Sequence, residues 1–169
     1  MSGFFRVEPG FFRPDRCTIV GDVTIGIDTS IWFGAVIRGD VAPVVIGKRV
    51  NIQDNAVVHC DSEVMNTIED DVVVGHGAIV HGKHVGAGSL IGMGATVLSR
   101  TVVGKECLIA AGAVVPPDMN VPDRMVVMGV PGKIVRAVKA EELQYMQWLG
   151  THYRELAMKY IEGKFRELR

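Results

Sequence analysis

Five histidines occur in the chain, and three of them, His59, His76 and His81, stand seventeen and five residues apart. Imidazole is a metal ligand as well as a general base, and three neutral imidazoles with a fourth position open is the arrangement of catalytic zinc. Taken singly, each histidine is as compatible with a surface or internally satisfied role. What decides between these readings is whether the fold brings the three together. Arg38, Asp40, Asn51, Gln53 and Asp54 supply charged and amide groups upstream of them.

The elements that position these residues follow from a six-residue period. Aliphatic residues recur at Ile19, Ile25, Ile31, Ile37, Ile46, Ile52, Val58, Ile68, Val74, Val80, Val85, Ile91, Val97, Val103, Ile109 and Val115. Six does not suit a 3.6-residue helix. It suits short strands with inward residues at even offsets, each followed by a corner. Three hexads close one triangular coil, and coils stack at roughly 4.8 Å, which is a parallel β-helix. The register predicts about five coils across 19–118, with excursions at 40–45 and 60–67 where the interval lengthens.

Every third hexad shares a face, so Ile37, Val58 and Val80 stack, and with them the second positions Arg38, His59 and His81. Elsewhere that second position is usually glycine, as at Gly26, Gly47, Gly75, Gly86, Gly92 and Gly104. His59 and His81 are therefore predicted to lie one rung apart. His76 falls on the preceding face, above Gln53 and Asp54, and a threefold assembly would let it join the pair from a neighbouring subunit. His84 is read as inward packing and His152 as solvated.

Flanking the repeat, residues 1–18 read as a cap and 119–139 as an irregular connection rich in proline and glycine. From 140 to 169 the spacing of Leu143, Met146, Leu149, Tyr153, Leu156 and Tyr160 predicts an amphipathic helix. Its early Glu141 and Glu142 and late Arg166 and Arg169 suit the helix dipole.

Composition excludes other classes. With 18 Lys+Arg against 19 Asp+Glu, no broad electrostatic grip on nucleic acid or anionic lipid is expected. Apolar runs are far short of the roughly 20 residues that span a bilayer, and Met1–Arg6 shows no secretion signal. Cys17, Cys60 and Cys107 lack disulfide or CxxC spacing, and read as reduced thiols in a cytoplasmic setting.

The motifs Ile37-Arg38-Gly39-Asp40, Asn51-Ile52-Gln53-Asp54-Asn55, Val58-His59 and Gly75-His76-Gly77-Ala78-Ile79-Val80-His81-Gly82 are similar to those of the γ-class carbonic anhydrases of the hexapeptide-repeat superfamily. Ile91-Gly92-Met93-Gly94-Ala95 and Gly129-Val130-Pro131-Gly132-Lys133 fit as well. The resemblance implies a mainly β fold, a single-stranded left-handed parallel β-helix of hexapeptide repeats with a C-terminal α-helix. It implies a homotrimer with one metal per interface, held by His59 and His81 of one subunit and His76 of the next. Zn2+ is the expected metal, and Fe2+ or Co2+ also suit imidazole ligands. The implied reaction is reversible hydration of CO2 to bicarbonate by a metal-bound hydroxide.

In the same resemblance, Arg38 and Asp40 match residues that pair across the trimer interface. Gln53 matches one that hydrogen-bonds metal-bound solvent, Asn51 one that lines the pocket, and Tyr153 a helix tyrosine that reaches the site. The acid that follows Arg-Gly-Asp in the best-studied members is Val41 here, and the loop after His59 offers only Asp61 and Glu63 for proton transfer. Three rival readings stand beside it. They are acyl transfer from coenzyme A with one histidine as general base, a metal-dependent thioesterase on the same trio, and a non-catalytic trimeric scaffold.

Overall fold

A computed structural model describes residues 5–8 and 10–165. Arg166 and Arg169, expected in the last helical turn, and Met1–Phe4 of the N-terminal reading lie outside the described residues.

The hexads stack in the predicted order. One face carries Ile19, Ile37, Val58, Val80, Val97 and Val115 in parallel register. The second carries Ile25, Ile46, Ile68, Val85, Val103 and Val121. The third carries Ile31, Ile52, Val74, Ile91, Ile109 and Val127. Backbone bonds run from coil to coil, as where Gln53 N–H donates to the Val74 carbonyl at 2.9 Å. The inward aliphatics form one continuous core, and Ile31, Ile37, Ile46, Ile52, Ile68, Ile91 and Ile109 are sealed from solvent. Ala35, Ala56, Ala78, Ala95 and Ala113 are equally buried two residues before the first face. A small side chain is what fits where the corner narrows the coil.

The stack continues past residue 118, the expected end of the repeat. Asn120–Val121 pairs with Val102–Val103, and Met125–Met128 pairs with Leu108–Ile109 before folding back antiparallel on Lys133–Ala137. Pro116, Pro117 and Pro122 read as punctuation, yet they stand outside the paired residues, where proline removes no ladder bond. At the other end, Phe5–Glu8 pairs antiparallel with Phe11–Pro14, which joins the third face.

The interval 40–45 is not an excursion from the sheet. Val36–Ile46 is one strand of 11 residues that carries the chain through the corner between the first two faces. Its pairing with Thr18–Ile25 shifts register between Gly21 and Val23, because the four residues between Gly39 and Val44 oppose the single residue between Gly21 and Val23. The surplus is absorbed as a bulge beginning at Asp40.

The C-terminal helix spans Ala140–Ile161, ending before 169 with Gly163 at φ 73° just beyond. Glycine in the left-handed region is a common helix stop. The helix lies along the third face. Met146 and Leu149 pack on Val73, Leu90 and Leu108, while Ala157, Tyr153, Leu156 and Tyr160 pack on Phe12, Trp32 and Phe33. Among the described residues, no helix is long and apolar enough to cross a membrane.

Candidate metal centre

The first face gives its second positions room for large side chains. Where glycine holds this position on the other faces, space is tight: a Cβ on Gly75 would sit 2.7 Å from the Met93 nitrogen of the next rung. Arg38, His59 and His81 therefore project as a column from successive rungs of one edge. His59 Nδ1 and His81 Nε2 lie 3.2 Å apart, with ring centroids 5.1 Å apart. Arg38 Nη2 approaches His59 Nδ1 at 3.4 Å, and its Nη1 donates to Asp40 Oδ2 at 2.6 Å. Asp40 Oδ1 in turn meets His59 Nε2 at 3.1 Å. The Arg38 guanidinium, and after it His59, hold the Asp40 carboxyl below its ordinary range. On the far side of the pair, Asp61 Oδ1 lies 3.7 Å from His81 Nδ1 and accepts from Ser99 Oγ at 2.9 Å.

His76 stands apart from this pair, on the corner that leaves the third face. Gly75 permits the close rung spacing before it. Gly77, at φ 65°, supplies the left-handed turn after it, and a Cβ there would meet nothing, so conformation and not space selects glycine. His76 Nδ1 meets Asp54 Oδ2 at 2.9 Å and His76 Nε2 meets the Tyr153 hydroxyl at 3.0 Å. With Nδ1–H donated to the carboxylate, Nε2 keeps a lone pair and Tyr153 is the donor. Burial, and after it the nearby Asp54 charge, push the Tyr153 phenol up, which keeps it protonated for that role.

Asn51 and Gln53 lie buried beneath His76 in a hydrogen-bonded chain. Gln53 Oε1 accepts from the His76 backbone N–H at 3.1 Å, Gln53 Nε2 donates to Asn51 Oδ1 at 3.0 Å, and Asn51 Nδ2 donates to Ser30 Oγ at 2.8 Å. Of the sequence-derived residues, the chain thus joins Arg38, Asp40, His59 and His81 in one cluster and Asn51, Gln53, His76 and Tyr153 in another. Arg38 and Asp40 pair with each other within the chain.

The remaining histidines differ from expectation. His84 points outward, because Val85 beside it is the inward residue of that strand, and its Nε2 lies 3.7 Å from Glu69 Oε1. His152 is half-buried and stacks on Trp148 at 5.0 Å and 20°. Cys60 is a buried thiol whose Sγ–H donates to the Ala42 carbonyl, and burial raises its pKa.

Sequence reasoning did not single out Asp54 and Asp61 as partners of the histidines. Each histidine of the trio has a carboxylate near one ring nitrogen: Asp40 at 3.1 Å from His59 and Asp54 at 2.9 Å from His76, both in hydrogen-bond reach, and Asp61 at the longer 3.7 Å from His81. A carboxylate on the outer nitrogen fixes tautomer and ring orientation and raises the basicity of the other, and is the usual support of a metal-ligating histidine. Among the described residues of the single chain, no group of three or more His, Cys, Asp or Glu could hold a metal ion. The donor set is split two and one between edges, which fits a metal shared by two copies.

Comparison with known proteins bears on the fold and the family. The family model for bacterial transferase hexapeptide repeats (six repeats) matches residues 82–117. A carbonic anhydrase of Geobacillus kaustophilus is 45% identical over 155 residues, which cover 92% of this chain and 85% of that one. The mitochondrial gamma carbonic anhydrase 2 of Arabidopsis thaliana is 39% identical over 89% of this chain and 56% of its own length. The crystal structure of the product of the Bacillus cereus BC4754 gene superposes with a TM-score of 0.84 at 40% identity, covering 86% and 85% of the two chains. The architecture is that of the hexapeptide-repeat left-handed β-helices. Within that class, the chain belongs to the γ-class carbonic anhydrase-like family.

Proposed function

We propose that this protein catalyses reversible hydration of CO2 to bicarbonate as a homotrimer, with a divalent cation held between subunits by His59 and His81 of one copy and His76 of the next. The observation that carries the reading is the orientation of the three rings. The outer nitrogens of His59 and His76 are engaged by Asp40 and Asp54, Asp61 lies 3.7 Å from that of His81, and the inner nitrogens of His59 and His81 face one another at 3.2 Å. The relatives named carbonic anhydrase support the substrate.

A bound divalent cation supplies Lewis acidity that makes water a nucleophile near neutral pH. The chain's own residues do the rest. Asp40, Asp54 and Asp61 orient the imidazoles. Gln53 and Asn51 brace the backbone at His76 through a buried amide chain. Arg38, ion-paired to Asp40, presents its guanidinium at the same edge. Asp61 and Glu63 are the acids of the loop after His59, and Asp61 is the one that reaches His81.

The test is metal per chain in protein purified without chelator or affinity tag, followed by stopped-flow CO2 hydration. Close to one zinc, iron or cobalt per subunit and metal-dependent hydration are expected. A protein that neither carries nor accepts metal would overturn the reading. In that case the match of residues 82–117 to the transferase repeats favours acyl transfer from a coenzyme A thioester.

A further inference from the structure

Asn66 opens the strand Asn66–Ile68 and is fully buried. In the ladder it pairs with Val44, which itself pairs with Val23, so an amide stands where the preceding rungs place an aliphatic residue. Its Nδ2 donates twice, to the His59 carbonyl at 2.7 Å and to the Val80 carbonyl at 3.1 Å. These carbonyls belong to successive rungs of the first face. One is the carbonyl of a histidine of the facing pair, and the other immediately precedes the second histidine of that pair. The Val80 carbonyl also accepts the ladder bond from His59 N–H at 3.1 Å, so both donors converge on the rung junction beneath the two rings.

Asn66 Oδ1 is buried and accepts no hydrogen bond from a described residue. Among the described residues, the other buried side-chain atom in this condition is Asp61 Oδ2, in the loop leading to this strand and on the carboxylate beside His81. Burying an amide with an unmet oxygen is destabilising. Valine would satisfy the core at this position, as Val44 does one rung away. What asparagine adds is the pair of N–H donors that spans two rungs.

We infer that Asn66 is a positioning residue of the metal centre: its side-chain amide clamps the rungs bearing His59 and His81 in the register that brings their ring nitrogens together. The inference rests on the metal reading above and concerns how the half-site on one subunit is preorganised. Misplacing a ligand by a fraction of an ångström weakens a site without removing any ligand.

The test compares Asn66→Val and Asn66→Ser with the wild type as full-length protein. Three readouts are used: thermal unfolding, the imidazole 15N resonances of the metal-free protein at one alkaline pH, and titration with Co2+ followed by its visible absorption. Asn66→Val is expected to stay folded, to move the His59 and His81 ring resonances, and to weaken Co2+ binding about 10- to 100-fold. Asn66→Ser, which keeps one donor, is expected to fall between. A purely structural Asn66 would change the melting temperature alone; unmoved ring resonances and wild-type Co2+ affinity in Asn66→Val would overturn the proposal. Should Asn66→Val fail to fold, wild-type resonances and affinity in Asn66→Ser overturn it equally. If wild-type protein takes no Co2+, the metal reading fails, and the ring resonances alone decide whether Asn66 sets the histidine register.

Discussion

Replacing Asp54 with asparagine tests the two-copy site most directly, because it changes one charge and almost no volume. The carboxylate accepts from His76 Nδ1 at 2.9 Å, with the two side chains 32% and 42% exposed in the single chain. Asparagine can still accept through its amide oxygen, but the bond loses its ionic component, and charge-assisted bonds are roughly twice as strong as neutral ones. Removing such an outer partner typically lowers metal affinity about 10- to 100-fold. That corresponds to about 1.4–2.7 kcal/mol at 1.36 kcal/mol per decade. Solvent screening at this partly exposed pair places Asp54→Asn near the tenfold end and Asp54→Ala, which leaves His76 without any acceptor, nearer the hundredfold end. Chelator competition against Co2+ reads the affinity, and sedimentation checks that the assembly is intact. His76→Ala serves as the reference for complete ligand loss. Wild-type affinity in both Asp54 variants, alongside loss of binding in His76→Ala, would refute the claim that the carboxylate orients the ring.

Other consequences are open to simpler assays. His59→Ala and His81→Ala should each abolish metal binding while the β-helix keeps its far-UV circular dichroism; retained stoichiometric metal would dismiss the facing pair as ligands. Arg38→Ala should shift sedimentation from trimer toward monomer, and an unaltered trimer would confine Arg38 to its pairing with Asp40 within the chain. Ile52→Ala, at a fully buried position next to Gln53, should destabilise by about 2–5 kcal/mol, visible as a lowered denaturant midpoint. Arg136, and after it the Lys139 backbone N–H, depress the Glu142 carboxyl from 4.5 to about 2. A depressed acid stabilises the fold above its ordinary value and ceases to do so as pH falls from 4.5 toward 2. Helix docking, followed by Trp148 fluorescence, should weaken across that window, and Glu142→Gln should flatten this dependence.

A solenoid converts spacing into position, which is why so much of this molecule was legible in its sequence. The hexad register alone stacks Ile37, Val58 and Val80, and the same arithmetic puts His59 and His81 on one edge and His76 on another. It extended poorly to the places where coil length varies. Val36–Ile46 absorbs its three surplus residues as a bulge within a strand, and spacing cannot tell that from a loop. Prolines at 116, 117 and 122 suggested an end to the repeat, although the coil places them outside its paired residues.

Partners beyond the period were hidden for a different reason. Asp61 lies in the lengthened interval between His59 and His81, where hexad position carries no information, and Asn66 stands in the ladder opposite Val44, a position whose register does not specify what its amide binds. Asp54 is in register, but which ring nitrogen it engages depends on side-chain rotation that periodicity does not specify. The loop that spoils the repeat is also the one that leads from His59 to the contacts around the facing histidines. Its carboxylate reaches one ring, and its amide binds the rungs of both. A regular coil would have delivered two imidazoles one rung apart without the Asp61 carboxylate beside His81 or the Asn66 amide across the two rungs. The break in periodicity therefore supplies orientation that periodicity lacks, and in the proposed assembly His76 of a second copy is the ligand that association brings.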